Sequence, residues 1–497
     1  MPFIKKCDSF YLVLLFTLLF SSLSTAQGLK LKLHIPKDSL SVSRKGSNYK
    51  FKIKLTLPDT VIEIKNDTVE KNGKSIGILK NKPSGSGKKE NKNSSTAQLS
   101  AGNISTAPED NNSVLINIPL SMEGSGTSWQ PENSDLSYII LNSNNWSYYF
   151  RGAIFPRYTH QAGKRGSSGW DAPNWIMGQA QTYLGLKGQL AIRGMLSLER
   201  ITEGGNGYPL LFQTGSAYKG LPLVDRQHPN DLISELSATL SYQTSRNSSI
   251  FMYLGYPGEP SVGPPAFYSR QSAKYIPDAP IGLQWQDASR VSFGVVTLGM
   301  VVNDFKIEGS VFNGSQPDEN RYSFDKIKLN SFGGRISFNP APTLSFQLSS
   351  GRIKDPYGGD NRIIRTAASV IYNTRLNNTT SWASSFIWGE NNENVLGRSE
   401  SFLSESTLDF SAYALYARAE FVQKTDGELG ITKNLNQKFW LGEFTLGIAK
   451  KILLPDKIDL ALGAQGTLYG IPNTLTPYYG DRLASYEIYL SLQPQVL

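Results

Sequence analysis

The sequence has little cysteine and little histidine. Its one cysteine, Cys7, lies in the first ten residues, and the histidines are His34, His160 and His228. The rest of the chain can therefore form no disulfide and no thiolate site, and so few imidazoles argue against a dedicated soft-metal site. There is no Gly-Lys-Thr phosphate loop, HExxH helix or CxxC pair, and no strand-like segment carries a histidine that could activate a serine. We expect no enzymatic activity and no cofactor.

Long apolar runs are absent beyond about residue 30, where none approaches the ~18 residues of a membrane-spanning helix. The mean hydropathy of −0.30 also excludes a helical membrane protein. The first 26 residues are the exception: Lys5 and Lys6 precede an apolar core at 10–20, and small residues follow at 24–26. This pattern predicts a signal peptide over 1–26. Cys7 precedes the apolar core, so we expect no lipid anchor.

Acidic residues are scarce near the start of the chain. The formal net charge is +9, and residues 27–120 alone hold sixteen Lys or Arg against eight Asp or Glu. Alternating apolar and lysine positions predict a small basic β-rich segment over 27–80, and the Gly, Ser and Asn composition predicts a flexible linker over 81–123. In an exported protein this charge does not indicate nucleic-acid binding, whereas it suits docking to a periplasmic partner.

Strand-like segments recur from Trp146 to the end of the chain. We count sixteen, most of 8–13 residues, close to the ~9–11 residues of a tilted strand that crosses a bilayer. The sequence therefore predicts an all-β fold, a transmembrane antiparallel β-barrel of about sixteen strands (14–18) over residues 124–497.

The connections between these segments alternate in length. Short turns such as 303–304 and 340–342 alternate with connections such as 200–230 and 257–289. Short periplasmic turns and long external loops are typical of outer-membrane barrels. We therefore expect an outer-membrane protein of a Gram-negative bacterium, in contact with outer-membrane lipid and inserted by the barrel-assembly machinery.

Alternation along the strands predicts which residues face the lumen. In 485–493, Ile488 and Leu490 would face lipid while Glu487 faces inward, because a charge on the lipid face costs about 2–4 kcal/mol at mid-bilayer. The lumen is predicted to be net acidic and to favour cations, unless many charges pair across strands, as Arg418 and Glu420 could. The predicted pore-lining residues are Arg193, Glu235, Lys306, Glu308, Arg335, Arg418, Glu420 and Glu487. Four more acids are predicted to face inward and make the set net acidic: Glu199, Glu405, Asp409 and Glu443.

The run GYPGEPSVGPPAF, 255–267, opens the third long connection, which we call loop 3 (257–289). Proline is excluded from barrel walls, so the run ends a strand and stiffens the base of the loop. In general porins of this strand number the third loop folds into the lumen; the alternative is a surface loop. The residues predicted to form a constriction are Glu259, Tyr268, Arg270, Trp285 and Asp287.

Several long motifs occur in order along the chain. They are GTSWQP (126–131), GYPLLFQTG (207–215), PLVDRQHPND (222–231), PGEPSVGPPAF (257–267), FGVVTLG (293–299), FNGSQPDENRY (312–322) and ARAEFVQK (417–424). In these motifs the sequence resembles a family of exported β-barrel proteins of Gram-negative bacteria, often encoded in copper or heavy-metal resistance settings. The resemblance covers about residues 124–424 and implies an outer-membrane barrel with a link to metal resistance.

The chain departs from that family at the residues that would bind metal. Relatives are often rich in Met and His before the barrel, and residues 27–125 hold only His34 and Met122. Imidazole and thioether are ligands that copper favours. His228 with Asp225 and Asp231 could still form a weak metal cluster; the alternative is that these acids fix their loop through ion pairs.

We therefore expect a porin-like channel for passive passage of small hydrophilic solutes or ions. The alternative is a closed barrel that binds metal or a periplasmic partner.

Overall fold

The structure is a computed structural model. It describes residues 112–495, except 136, 144, 287–290, 357–360, 432–435 and 454–457, together with the backbone of five short strands nearer the start. The signal peptide prediction lies outside the described residues. The chain divides into two units, 1–101 and 102–497.

The first unit contains an antiparallel meander within the segment expected to be β-rich. Each strand pairs with the next one along the chain. The strands are β1 (Leu40–Lys45), β2 (Asn48–Leu57), β3 (Thr60–Lys65), β4 (Thr68–Lys71) and β5 (Lys74–Ile78).

The second unit is built on a sheet whose strands follow one another in sequence order and are antiparallel throughout. The first strands are β6 (Ile139–Ser143), β7 (Trp146–Ile154), β8 (Arg157–His160), β9 (Ser168–Asp171), β10 (Asn174–Leu184) and β11 (Gly188–Leu196). A separate hairpin, β12 (Tyr208–Tyr218) and β13 (Leu221–Gln227), follows in the next connection. The sheet continues with β14 (Ile233–Ser245), β15 (Ser248–Gly255), β16 (Val295–Val302), β17 (Phe305–Phe312), β18 (Ser331–Ala341), β19 (Leu344–Lys354), β20 (Arg362–Asn377), β21 (Thr380–Glu393), β22 (Gly397–Phe410), β23 (Tyr413–Thr425), β24 (Lys438–Leu453), β25 (Ile458–Gly470) and β26 (Ala484–Pro494).

The sheet closes on itself as a sixteen-stranded barrel. β7 and β8 form the first wall strand, with a break at 155–156; β7 pairs with β10, and the last strand, β26, pairs with β8 and the end of β7. β6 pairs with the remaining edge of β7, from Ile139 opposite Phe150 to Ser143 opposite Trp146. The prediction of an all-β, sixteen-stranded antiparallel barrel is confirmed. Closure leaves no free sheet edge within the wall, which is what a strand-built membrane protein requires.

The outer face of the wall is apolar. Side chains alternate along each strand, so Leu298, Ile307 and Ile488 point outward with 61%, 52% and 53% of their surface exposed, while their neighbours point into a packed lumen. Exposed aromatic rings mark both ends of the wall, such as Tyr242 near a short turn and Trp440 near a long connection. An apolar band flanked by aromatic girdles is the surface of an outer-membrane barrel.

Within the described residues, helical structure consists of single turns in the long connections and in the segment before the first wall strand. The α-helical turns are α1 (Glu199–Thr202), α2 (Leu283–Gln286) and α3 (Thr476–Tyr479). Short 3-10 turns occur at Leu120–Met122, Phe267–Ser269, Gln271–Ala273 and Asn473–Leu475. Within the part of the chain that the structure describes, none of the helices has the length and apolar character needed to cross a membrane.

The predicted linker, 81–123, is wrong in its last part. Residues 112–123 are folded and mostly buried inside the barrel, and the earlier residues lie outside the described range. The physical reason is local composition: Val114, Leu115, Ile116 and Ile118 supply apolar surface to bury, unlike the Gly, Ser and Lys residues before them.

Candidate functional site

The structure places loop 3 inside the barrel. Near its start, the backbone N–H groups of Ser261 and Gly263 donate to the hydroxyls of Ser310 and Ser349, at 2.9 and 2.8 Å. Ser310 lies on β17 and Ser349 on β19. The proline-rich base of loop 3 therefore crosses from β15 to the wall strands that follow it.

The middle of loop 3 descends toward the short-turn end of the barrel. The Tyr275 hydroxyl donates to Asp409 at 2.9 Å, and the Tyr489 hydroxyl donates to the Tyr275 carbonyl at 2.7 Å. The loop then rises again, because the Trp285 indole N–H donates to Ser399 at 2.8 Å near the start of β22. Loop 3 thus spans the lumen both across its width and along its axis.

A second segment occupies the lumen nearer the short turns. We call residues 112–135 the plug. The Ile116 N–H donates to the Ser241 hydroxyl on β14 at 2.9 Å, and the Asn339 side-chain amide on β18 donates to the Gln130 carbonyl at 2.9 Å. The plug also touches loop 3, since the Ser125 hydroxyl donates to Glu259 at 3.0 Å. Plug and loop 3 therefore pack as layers within one barrel.

Charged residues of the wall hold the plug. Arg193 forms ion pairs with Glu123 of the plug at 3.2 Å and with Glu235 of β14 at 2.8 Å. Glu308 pairs with Lys306 and with Arg335, each at 2.9 Å.

The plug residue Thr127 joins that second group. Its hydroxyl donates to Glu308 and accepts from Arg335 at 3.0 Å, and its carbonyl accepts from Lys306. Buried polar groups need hydrogen-bond partners, so Thr127 completes the hydrogen bonding of this group of charges.

Arg157 is the centre of a further buried cluster. Its guanidinium contacts Asp171 at 2.6 Å, Glu487 at 2.8 Å and Asp278 of loop 3 at 2.6 Å. Its side chain is fully buried, and it lies 4.3 Å from the centre of the Tyr208 ring. Loop 3 is therefore tied to two wall elements, β8 and β26, through one arginine.

A second cluster lies on the wall strands β22 and β23, and its Arg418 donates to the carbonyl of the same Asp278 at 2.8 Å. Glu405 of β22 pairs with Arg270 of loop 3 at 2.7 Å and with Arg418 of β23 at 3.0 Å. Glu420 accepts the backbone N–H groups of Ile281 and Gly282, at 3.2 and 3.0 Å. The carboxylates of Glu405 and Glu420 therefore attach loop 3 to β22 and β23.

The long-loop end of the lumen is covered by an apolar cluster, which we call the cap. The β12–β13 hairpin supplies Leu210, Leu211 and Phe212, which pack against Trp285 of loop 3 and Tyr479 of α3. The Phe212 and Tyr479 ring centres are 4.7 Å apart.

A cavity with a volume of about 160 Å³ remains in this part of the structure. We call it the side cavity. It lies between loop 3 and the wall at β7 and β10. Its lining reaches from Gln493 near the short turns to Gln316 near the long connections, and the cap hairpin contributes Tyr208. The volume suffices for on the order of ten water molecules.

The charges of the side cavity differ from those predicted for an open lumen. Its lining includes five cations, Arg151, Arg270, Lys274, Arg321 and Arg365, and two acids, Glu199 and Asp231. Burial raises the pKa of Glu199, in α1, to about 7, against the lowering effect of hydrogen bonds from the Asn230 and Asn174 N–H groups.

The residues predicted to line an open pore do face inward, but they are buried. Arg193, Glu235, Lys306, Glu308, Arg335, Arg418 and Glu487 lie in the ion pairs above, and Glu420 holds the backbone of loop 3. The expectation of a net acidic, cation-favouring pore therefore does not fit the lumen, because wall arginines and Lys306 compensate these acids at close range.

The residues predicted to form a constriction have separate places in loop 3. Tyr268 and Arg270 line the side cavity, Glu259 contacts the plug and Trp285 contacts the cap. Asp287 lies outside the described residues.

His228, Asp225 and Asp231 do not converge. Asp225 pairs with Arg165 at 2.7 Å, and Asp231 pairs with Arg321 at 3.4 Å. Burial, with the nearby charge of Arg321, lowers the pKa of His228 to about 4. Within the described residues, no group of three or more His, Cys, Asp or Glu side chains could hold a metal ion. These two acids therefore fix their loops, through Arg165 and Arg321.

The plug and the cap were missed in the sequence. A signal for the plug was present: the apolar run VLINI at 114–118 precedes GTSWQP, and both fall before the first wall strand. The part of β12 that enters the cap has no comparable pattern, because its first seven residues, 208–214, are all buried without alternation.

No family model matches the chain, and no curated protein matches its sequence. Solved structures are similar in fold. OmpF of Salmonella typhi in complex with daunomycin has a TM-score of 0.45 at 10% identity, covering 71% of this chain and 100% of that chain. An anion-selective porin from Comamonas acidovorans has a TM-score of 0.41 at 9% identity, covering 70% and 99%. OccAB2 of Acinetobacter baumannii has a TM-score of 0.35 at 8% identity, covering 70% and 97%.

Proposed function

We propose that the protein is a restricted, porin-like channel of the outer membrane, and that small solutes pass through the side cavity. The observation that carries this proposal is the lining of that cavity, which includes residues near both ends of the barrel, such as Gln493 and Gln316. Ligand sites commonly combine aromatic walls with a few placed polar groups. The side cavity has this composition, with Trp175 and Tyr268 beside Arg151 and Lys274.

Passage would be slow in the observed state. The plug, loop 3 and the cap fill most of the lumen, and the remaining cavity of about 160 Å³ has little room for a large hydrated solute. We therefore expect a small conductance and a low size limit, in contrast to the open state of a general porin.

A closed barrel that is opened by a periplasmic partner is the second candidate. The plug favours it, because the plug continues directly into the N-terminal part of the chain, whose basic residues suit docking. A partner that draws this part away would withdraw the plug from Arg193 and Glu308. Metal binding is not part of this candidate, since the metal-resistance link rests on the resemblance alone.

Planar-bilayer recording of the purified full-length chain tests the proposal. We expect small, persistent single-channel currents from protein that shows heat-modifiable migration on gels. Complete electrical silence from folded protein would contradict a channel at rest and support the closed barrel.

A further inference from the structure

We propose that the side cavity binds a small organic carboxylate with one planar ring, and that Arg151 anchors the carboxylate. This inference rests on the proposed function, because the ligand is a solute that occupies the proposed path. It names the chemical class of that solute.

Arg151 differs from the other buried arginines of the wall. Arg157, Arg193, Arg335 and Arg418 each pair with at least one carboxylate. Among the described residues, Arg151 has no carboxylate within ion-pair distance, and its Nε–H has no hydrogen-bond partner. Its Nη2 donates only to the Gly124 carbonyl, at 3.3 Å.

A buried Arg151 charge without a counter-ion destabilises the folded protein when no ligand is bound. Arg151 is only 7% exposed, and a buried charge normally requires a paired, hydrogen-bonding counter-ion. Arg151 lines the side cavity, so an anion there can supply both the charge and the acceptor for Nε–H. A carboxylate matches the geometry of a guanidinium better than a spherical ion does.

Aromatic rings surround this guanidinium. The Arg151 carbon Cζ lies 5.3 Å from the centre of the Tyr138 ring and 5.7 Å from that of Trp175. Trp175 is in turn 5.2 Å from Tyr268 of loop 3, and both rings are only partly buried. Both residues line the cavity, where a planar ring can stack against the Trp175 indole.

Two more groups in loop 3 complete the site. The Ser269 hydroxyl is buried and has no hydrogen-bond partner, and its residue lines the cavity. Lys274 lines the same cavity and is partly exposed. A carboxylate that contacts Arg151 could thus find a second donor on the opposite side of the cavity.

The acids of the cavity do not oppose an anion at this point. Asp231 is paired with Arg321, and Glu199 lies in α1, in the connection after β11, with its carboxylate on backbone N–H groups. A cationic ligand would meet Arg151 and Lys274, whereas a neutral ligand would leave the Arg151 charge without a counter-ion. The ligand class with all the required features is a small aromatic carboxylate.

Calorimetric titration of the full-length protein in detergent tests this inference. The probes are benzoate and its neutral isostere benzamide. We expect saturable binding of benzoate that is at least about tenfold tighter than that of benzamide, the range of a charge-assisted hydrogen bond. No saturable binding of benzoate to folded protein, or equal binding of both probes, would overturn the proposal.

Variants locate the site. Arg151→Gln should weaken benzoate binding by at least about tenfold, and Ser269→Ala should weaken it by a smaller factor. Arg246→Gln removes an exposed cation in a short turn and is the matched control, with unchanged binding expected. Heat-modifiable migration verifies folding of each variant. If Arg151→Gln does not fold, Ser269→Ala decides: unchanged binding there contradicts the site.

A second measurement distinguishes failure of the carboxylate site from failure of the proposed channel function. Conductance is recorded on the same preparations in chloride. Currents without benzoate binding would overturn the carboxylate site and leave the channel intact. Benzoate binding without currents would overturn the channel and leave a binding barrel.

Discussion

At the scale of single residues, the lumen is organised by buried ion-pair clusters in which one residue pairs with several partners of opposite charge, as Arg193 does with Glu123 and Glu235 and Glu405 does with Arg270 and Arg418. Arg157 is the clearest case, since it contacts Asp171, Asp278 and Glu487 at 2.8 Å or less. Three carboxylates around one guanidinium can remain buried only while that cation is in place. The cluster therefore fastens loop 3 to the wall.

Arg157→Gln should destabilise the protein strongly. Three buried carboxylates lose their counter-ion, so we expect a loss of about 3–5 kcal/mol in the free energy of unfolding. Arg375→Gln is the matched control: it breaks the Arg375–Asp135 pair, in which the arginine side chain is 57% exposed, and should cost about 0–1 kcal/mol. Thermal unfolding in detergent, followed by circular dichroism, measures both. Equal losses would mean that the Arg157 cluster is not a fastening point.

Glu199 should make the connection after β11 sensitive to pH. Burial raises the pKa of Glu199 from 4.5 to about 7, so the folded state binds more protons than the unfolded state between these values. The local stability is then highest below pH 4.5 and falls as the pH rises toward about 7.

Hydrogen exchange of the backbone N–H groups of Asn174 and Asn230, which donate to Glu199, measures this effect. We expect slower opening at pH 5 than at pH 8, after correction for the intrinsic exchange rate. Glu199→Gln keeps an acceptor but cannot ionise, and should remove the difference. A difference that persists in this variant would assign the pH dependence to another group, such as Glu203, whose pKa burial also raises.

At the scale of elements, the wall could be predicted and the contents of the lumen could not. Each strand alternates between lipid and lumen, so a period of two residues appears wherever a strand crosses, as in β26 with Ile488 outward and Glu487 inward. The alternation of short and long connections then gives the strand count. The plug and the first seven residues of β12 are mostly buried without alternation, so they carry no such period, and their contacts come from residues far apart in sequence.

The candidate site could likewise be predicted from the sequence only in part. The sequence placed charges such as Glu308 and Arg335 on the inner face, but a facing pattern cannot tell whether an inward charge meets water or a partner. Their pairing depends on Thr127 of the plug, nearly two hundred residues away from Glu308. The unpaired state of Arg151 likewise becomes visible only when its neighbours are in place.

Removal of residues 262–284 of loop 3 should leave a folded barrel with a wider path. The deletion takes out Arg270 and Asp278, yet Glu405 keeps Arg418, and Arg157 keeps Asp171 and Glu487. Water that enters the emptied space would solvate these groups and reduce the desolvation cost. We expect a several-fold rise in single-channel conductance and a larger solute-size limit, with heat-modifiable migration retained. Unchanged conductance in folded protein would show that loop 3 does not restrict the path.

At the scale of the whole molecule, three parts of the chain close one barrel at different depths. The plug fills the lumen near the short turns, loop 3 spans its middle, and the cap covers the end with the long connections. The side cavity is left between loop 3 and the wall. A wide opening of the lumen requires movement of more than one of the plug, loop 3 and the cap. A path through the side cavity requires only local adjustment, and this suits slow passage of small solutes.

The plug provides the sharpest test of this arrangement, because it can be removed without cutting a wall strand. Deletion of residues 27–131 ends before β6 and takes out Glu123 and Thr127. The wall charges stay compensated, since Arg193 keeps Glu235, and Glu308 keeps Lys306 and Arg335. We therefore expect a folded barrel with a higher conductance than the full-length chain.

Deletion of residues 27–105 is the matched control, because it removes the basic segment and spares the plug. The conductance of this variant should equal that of the full-length chain. A higher conductance in both deletion variants would show that the basic segment holds the plug in place. An unchanged conductance in both would show that the plug does not seal the lumen and that loop 3 and the cap alone restrict the path.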